Sequence, residues 1–560
     1  MSHLGQIGRG TGSRLVLAVC ALTAALSVSA AAMQASNAAP KQPGAIDEVA
    51  GHVPDQNEQA QTAPVTRSSS TPTSQWWSPG DGRRLPEYVT YGDGYGQLGI
   101  LNTAGPQETK GHPFFEPIGK NGRACVTCHQ PADGMSVSVA SIRERWAATK
   151  GKDPIFAAID GKNCPNLPQD DPASHSLLLN RGLFRIFLPW PPKAADGSAI
   201  EPEFTLEVVR DPTGCNTDPV YGLKSPNPLI SIYRRPRVVA NLKYATHQKF
   251  GVNAFIGKTG TPASRDPDTG KPVSMNLLSD ARQPTLKTQA VEAAVTHLQF
   301  DGRISDEQIA RITAFENQIY SAQVMHTGAG SLVEPDGPPA FGPRNLAKGD
   351  EGVLGNNTTR YVFPLGNAWK EGPGLKPQPA NVANMRASIR RGHDVFFFRT
   401  FWIKDSMHLN TVGLGNPTKR TCGTCHGMHM TGMDTANGWM DIGTTNLPWA
   451  KEVPRNPWNN NARPDLPLFK ITCKAGVPPH PYLGPTFYTQ DPGRAIISGK
   501  CNDVGTIVMQ QFRGLAARAP YFSNGSAANI RELIDFYDRR YNIQYSESEK
   551  QDLEHFLSSL

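Results

Sequence analysis

Beyond residue 26 the chain has no long apolar run. Leu15 to Leu26 is apolar, and nothing comparable follows in the 560 residues, which argues against a membrane span in the mature protein. It also has no basic block. Its 56 Lys and Arg, against 49 Asp and Glu, are spread along the chain, so nucleic acid is not an expected partner. Acid is missing from residues 1–40. There Arg9 and Arg14 precede the apolar run and small residues follow from Ser27 to Ala32, the pattern of an export signal. Losing those two arginines lowers the formal charge from +7 to +5, a mild excess that would weakly steer an acidic partner. No tandem repeat is visible apart from one short motif that occurs twice.

What is present is ordinary for a soluble globular protein: 38% hydrophobic and 19% charged residues, in a length that allows two domains with sizeable cores. The 53 Gly and 48 Pro point to many turns and irregular connections.

The nine cysteines sort by position. Cys20 lies inside the apolar run and would leave with the signal. Cys164, Cys215, Cys473 and Cys501 are an even remainder, which favours disulfides in an exported chain. Of the three pairings they allow, the local one, Cys164–Cys215 with Cys473–Cys501, puts a bridge in each half. The other four belong to Cys125-Val126-Thr127-Cys128-His129 and Cys422-Gly423-Thr424-Cys425-His426.

In CxxCH, one helical turn presents two thiols and an imidazole to the same side. That suits thioether links to the two vinyl groups of a porphyrin and a proximal nitrogen on its iron. A single match could be half a zinc site or a redox CxxC. Two matches, each with His directly after the second Cys in an exported chain, predict two covalently bound haem c groups with His129 and His426 as proximal ligands. The opposite face of each haem then decides function, because an open position binds small oxidants and two protein ligands leave only electron transfer. Met135 and His297 are candidates for the first haem, and Met428, His429, Met430, Met433 and Met440 lie near the second. A lone Met or His is more often packing than a ligand.

Composition divides the chain into a signal (residues 1–32), a flexible leader rich in Ala, Gln, Ser, Thr and Pro (33–75), an N-terminal haem domain with an insertion (76–345) and a C-terminal haem domain (346–560). The boundary is placed in Gly/Pro-rich residues 327–380. Trp76 to His112 reads as loops, and residues 160–280 as a loop-rich insertion. Helices are expected at Val139, Ile142 and Trp146, and over Leu286 to Leu298. Another should follow Ser305-Asp306-Glu307-Gln308, with Ile309, Ile312, Phe315 and Ile319 as its apolar face. Val395-Phe396-Phe397-Phe398 leads toward the second motif. Two helices close the chain, one facing inward through Ile530, Leu533, Ile534 and Tyr537. The other is capped at Ser548-Glu549-Lys550-Gln551 and faces inward through Leu553, Phe556, Leu557 and Leu560. The expected fold is mainly α: two cytochrome c-type domains with loop-rich insertions and few strands.

The segment Gln511-Phe512-Arg513-Gly514-Leu515-Ala516-Ala517-Arg518-Ala519-Pro520-Tyr521-Phe522-Ser523-Asn524-Gly525-Ser526 resembles a signature of bacterial di-haem cytochrome c peroxidases, approximately P-x-L-R-N-V-A-L-T-A-P-Y-F-H-D/N-G-S. That superfamily also contains the tryptophan-oxidising enzyme MauG and the di-haem rubber oxygenases. With the two CxxCH motifs and their order, the resemblance spans about residues 110–560. It implies a distal ligand to the second haem seventeen residues past the Pro, which is Tyr537. Peroxidases usually have Met there, and the MauG branch has Tyr. Ser279-Asp280-Ala281-Arg282-Gln283-Pro284-Thr285-Leu286-Lys287-Thr288-Gln289-Ala290 is similar to the family's W-D-G-R-x-x-x-L-x-x-Q-A, so Gln289 would stand beside the peroxide pocket. The family's Trp between the haems is Ser279 here, and its proton-transferring acid is Gln299, a neutral amide that cannot exchange a proton. His297, two helical turns beyond Gln289, is the candidate to replace it. The His that closes the first haem in resting peroxidases has no match.

The resemblance implies a periplasmic oxidoreductase that reduces hydrogen peroxide with electrons from a small redox protein, a cytochrome c or cupredoxin. It implies a homodimer as well, and a calcium ion between the domains, although Arg518 replaces the usual Thr before Ala519-Pro520. Two alternatives remain. One is oxidation of a protein or organic substrate, as in the MauG and rubber-oxygenase branches, and the other is a di-haem electron carrier with no catalytic role.

Overall fold

Helices form where the sequence supplies caps. In the computed structural model, α1 (Val139–Thr149) begins at Ser138, whose side chain accepts a hydrogen bond from the Ser141 N–H. Helix α2 (Leu286–Thr296) and helix α3 (Asp306–Gln318) begin at capping boxes, Thr285 with Thr288 and Ser305 with Gln308. Helix α4 (Ala380–Phe398) runs toward the second CxxCH, and α5 (Ile530–Tyr541) and α6 (Glu547–Ser558) close the chain. The cap of α6 is Ser546 with Glu549, not Ser548. Ser546 is the serine with a Glu three residues on, so both halves of the box can close. Ile319, expected on the face of α3, instead opens a strand.

The structure describes residues 75–246, 265–349, 369, 377–406, 416–427, 439–445 and 463–560, apart from Ala195, Pro272, Met275 and Asp336. These belong to one compact unit, Thr62–Leu560, and the expected export signal and nearly all of the leader lie outside the described residues.

The expectation of a mainly α chain with few strands is wrong. The described residues contain thirteen strands in five sheets, every pair antiparallel. Trp76 to His112, expected as loops, holds β1 (Tyr88–Gly92) and β2 (Gly96–Asn102). Residues 160–280, expected as a loop-rich insertion, hold β3 (Phe184–Pro189), β4 (Phe204–Arg210) and β5 (Leu229–Arg234). Then come β6 (Ile319–His326), β7 (Gly330–Ser331), β8 (Phe401–Ile403), β9 (Thr418–Arg420), β10 (Trp439–Met440), β11 (Leu468–Cys473), β12 (Thr486–Thr489) and β13 (Ile507–Val508).

Distance along the chain explains why two of these strands, β2 and β4, were hard to read. Strand β2 pairs with β6 in the sheet β1-β2-β6-β7, Ile100 opposite Ser321, and β4 pairs with β11 in the sheet β12-β11-β4, Leu206 opposite Ile471. Partners more than 200 residues apart leave no local turn signal. The β4–β11 pairing also joins residues from either side of the Gly/Pro-rich segment.

Three apolar clusters organise the interior. One surrounds the first CxxCH with Leu98, Ile100, Phe114, Val126, Ile312 and Phe315. A second surrounds the other motif with Phe396, Phe397, Phe512, Leu533, Ile534 and Phe556. The third lies on the sheets, with Phe204, Ile230, Ile232, Phe469, Ile471 and Phe487. The disulfides follow the local pairing, Cys164–Cys215 and Cys473–Cys501. Helix α4 packs on α6 backbone to backbone at Gly392, where a Cβ would lie 1.9 Å from the Asp552 carbonyl oxygen.

Candidate functional site

The first CxxCH is a tight 3₁₀ turn, Cys125–Thr127, closed by the Ala124 N–H donating to Thr127 Oγ1 (3.0 Å) and the His129 N–H to the Cys125 carbonyl (3.1 Å). The second is the one-turn helix Cys422–Cys425, with the His426 N–H on the Cys422 carbonyl (3.0 Å). Strand β9 delivers the chain to it. Gly423 is needed there, since a Cβ would lie 2.5 Å from Phe397 Cδ1. The four cysteines of these motifs form no disulfide with one another, whereas the other four described cysteines are paired in two disulfides.

Cys125, Cys128 and His129 line a cavity of about 1410 Å³, its mouth included. One wall is α2, which presents Leu286, Gln289, Ala290, Ala293 and Ala294 at helical spacing, with His297 at its C-terminus. The alanines make this face flat. His129 Nδ1 lies 3.2 Å from the Met135 carbonyl oxygen, so as an Nδ1–H donor it leaves Nε2 toward the cavity. Burial lowers the pKa of His129 to about 4, against the opposing Met135 hydrogen bond, and His297 nearby adds to the lowering. The imidazole is therefore neutral. Met135 contributes its carbonyl to this contact, while its side chain packs in the apolar cluster.

Three polar groups give this cavity its character. His297 Nδ1 is 2.6 Å from Asp160 Oδ2, and Asp160 also pairs with Arg123, which is fully buried. Arg123 donates further to the Pro154 and Ile155 carbonyls, both at 2.7 Å. The His297 ring is thus held from behind, with Nδ1 engaged and Nε2 left to the cavity side. Glu316, on the buried face of α3, also lines the cavity. Burial pushes its carboxyl up to about 8, and Oε2 has no hydrogen-bond partner among the described residues. Glu316 is protonated at neutral pH.

Gln289 and His297 therefore meet on one cavity, but Gln299 does not join them. Helix α2 ends at Thr296, the backbone turns left-handed at Gln299 (φ 53°), and that side chain is exposed. The ten-residue helical spacing from Gln289 is broken by this turn. Ser279 lines the cavity, and its carbonyl accepts from the Val508 N–H of β13 (2.8 Å). Asp280 and Arg282 enter a buried network in which Arg234 bonds Asp280 (2.6 Å) and Asp491 (2.6 and 2.8 Å). Ala281 between them has φ 55°, a conformation that favours glycine.

The surroundings of Cys422, Cys425 and His426 are different. A cavity of about 650 Å³, its mouth included, is lined by Phe396, Phe401, Met440, Phe512, Leu533 and Tyr537, and a neighbouring one of about 860 Å³, likewise with its mouth, shares His426, Met440, Phe512 and Tyr537. His426 stacks on Phe512 with centroids 4.3 Å apart, and burial lowers its pKa to about 3. Tyr537 faces the same cavities, its ring 6.4 Å from that of His426, and burial raises its phenol well above 10. Met428, His429, Met430 and Met433 lie outside the described residues.

The chain matches no protein-family model, no curated protein and no solved structure. Its site therefore has to be judged on its own residues. Burial pushes the thiols up, Cys128 to about 12 and Cys422 to about 11, and Cys125 rises too. Among the described residues no three His, Cys, Asp or Glu side chains converge as a group that could hold a metal ion. Paired cysteines followed by a neutral imidazole, each set lining a cavity, fit a large flat cofactor held by thioethers and one nitrogen.

Glu316, Asp160 and Arg123 were missed in the sequence. Glu316 had a signal, as it falls on the apolar stripe of α3, seven residues after Ile309 and four after Ile312. Asp160 and Arg123 had none, since their role depends on the fold bringing His297 to them.

Proposed function

We propose that this chain is an exported di-haem c oxidoreductase in which the Cys125–His129 site reacts with hydrogen peroxide and the Cys422–His426 site passes electrons to it. The observation that carries this reading is the contrast in what faces the two imidazoles. Gln289, His297 held by Asp160, and protonated Glu316 share the cavity of His129, while Tyr537 and, in the smaller of its two cavities, apolar and aromatic side chains face His426.

When bound, the haem iron supplies a Lewis-acidic, redox-active centre. The chain's residues have the remaining tasks. Cys125, Cys128 and His129 would hold the first group, and Cys422, Cys425 and His426 the second, with Tyr537 placed as a further ligand. Reducing H₂O₂ to two waters takes two electrons, from a small cytochrome c or cupredoxin, and two protons. Glu316 holds a proton within the cavity at neutral pH. His297, held at Nδ1 by Asp160, offers Nε2 as a group that can exchange a proton. Gln289 offers an amide to orient the oxidant. The left-handed Ala281, where the similar family motif has Gly, also supports the reading.

Oxidation of an organic or protein substrate is the second reading, and the buried Tyr537 beside His426 favours it. The test is the absorption spectrum of the purified protein on adding hydrogen peroxide, in the ferric and half-reduced states. A peroxide-dependent species that reduced cytochrome discharges establishes the peroxidase. One that persists until an organic substrate is supplied moves the assignment to the second reading. Two low-spin haems indifferent to peroxide leave an electron carrier.

A further inference from the structure

Arg235, Arg237 and Arg518 meet where the two sites adjoin. Arg235 and Arg237 line the cavity of His129, and Arg235 and Arg518 line the larger cavity beside His426. Pro236 and Gln511 are the other residues common to both linings. Arg235 and Arg518 are buried.

All three guanidiniums donate to backbone carbonyls. Arg235 bonds those of Arg181 (2.9 Å), Val137 (2.6 Å) and Arg518 (2.9 Å), Arg237 those of Val508 (2.8 Å) and Met509 (3.0 Å), and Arg518 those of Arg513 (2.8 Å) and Gln511. Among the described residues no carboxylate pairs with any of them. Arg234, the adjacent residue, has two, Asp280 and Asp491. Burial pulls Arg235, Arg237 and Arg518 down to about 10; Arg518 adds to the effect on Arg235, and the more distant carboxylates of Asp133 and Asp280 oppose it only in part at Arg235 and Arg237. Carbonyls satisfy the N–H groups without neutralising the charge, and buried cations ordinarily have an anion beside them.

We propose that Arg235, Arg237 and Arg518 are a bipartite carboxylate site that takes the acidic side chains of the two ring cofactors from opposite sides of one wall, with Arg235 common to both. The inference rests on the reading that each CxxCH carries a haem. Haem has two propionate carboxylates, and thioether links to Cys pairs fix the ring by its vinyl groups. A guanidinium is suited to the carboxylates, being planar, always charged and able to bond two oxygens at once. A cation shared by both groups also ties their electrostatics together, since its field favours the reduced state of each.

The experiment is a spectroelectrochemical titration of the holoprotein and of Arg237→Gln, Arg518→Gln and Arg235→Gln, after a pyridine haemochrome count. The variant Cys422→Ser/Cys425→Ser, which keeps only the first haem, assigns the two potentials. Arg237→Gln should lower the potential of the first haem alone, Arg518→Gln that of the second alone, and Arg235→Gln both. Arg→Lys at each position, which keeps the charge, should shift less and serves where Arg235→Gln does not fold. Two attached haems with unmoved potentials in all the variants overturn the carboxylate site and leave the haem reading intact. Wild-type potentials that follow added inorganic phosphate or acetate overturn it also, by showing that a free anion occupies the arginines. A chain with no c-type haem sinks the underlying reading itself.

Discussion

Cys-Val-Thr-Cys-His and Cys-Gly-Thr-Cys-His differ in one residue, and the chain folds around them in different ways. At the first, an insertion strand region and two capped helices bring a carboxyl, an imidazole with its own carboxylate, and an amide to one cavity. At the second, α4, α5 and α6 close a cluster of Phe, Leu and Tyr side chains around the imidazole. The motif specifies attachment, and the surrounding elements specify what an attached group can do. A site meant to exchange protons has to bury titratable groups, and a site meant only to pass electrons is better kept apolar.

The strongest way to break this comparison is to remove one motif at a time. Cys125→Ser/Cys128→Ser should halve the haemochrome signal and abolish the spectral response to peroxide. Cys422→Ser/Cys425→Ser should also halve it, yet keep a response to peroxide while losing turnover with reduced cytochrome. Equal behaviour of the two variants would mean the sites are not differentiated.

Next in size is the His297–Asp160–Arg123 chain. His297→Gln should lower the peroxide rate by about 10²–10⁴-fold, as expected for loss of a positioned proton donor or acceptor, with both haems still attached. Asp160→Asn leaves buried Arg123 without its counter-ion and should cost about 3–5 kcal/mol in denaturant unfolding.

Glu316 gives a pH signature. Its folded-state pKa, about 8, is raised above the ordinary 4.5 by burial, so the folded state binds the extra proton between those values. Stability should therefore fall as pH rises from about 4.5 and level off above 8, and Glu316→Gln should remove that fall. A variant no more stable than wild type at pH 8.5 would show that Glu316 reaches water or a partner.

Tyr537→Phe should change the spectrum and potential of the second haem and leave the first unaltered. If neither moves, Tyr537 is packing. The smallest effect is expected at Ala281, where glycine relieves the left-handed backbone. Ala281→Gly should be neutral or stabilising by up to about 1 kcal/mol in thermal unfolding.

Much of the helical structure was legible because its determinants are local. Ser138, Thr285 and Ser305 cap helices whose apolar residues recur at the expected spacing, and even the misplaced cap of α6 was wrong by two residues. The strands were not legible. Gly96 to Asn102 and Phe204 to Arg210 pair with β6 and β11, more than 200 residues on, and no turn announces those partners. Gln289 and His297 could be named from their helix, while Gln299 was misjudged because the helix stops at Thr296 and a left-handed residue redirects the chain.

By itself the sequence determined the features whose physics is confined to a few neighbouring residues: the two CxxCH turns and helix starts such as the capping box at Ser305. Tertiary structure alone decided which groups face each turn. Asp160 reaches His297 across 137 residues, Glu316 is turned inward by the stripe it interrupts, and Arg235 stands between two cavities formed by separate stretches of chain. The electrostatics of a buried site depend on every group within a few ångströms, and those groups are chosen by the packing of the whole fold.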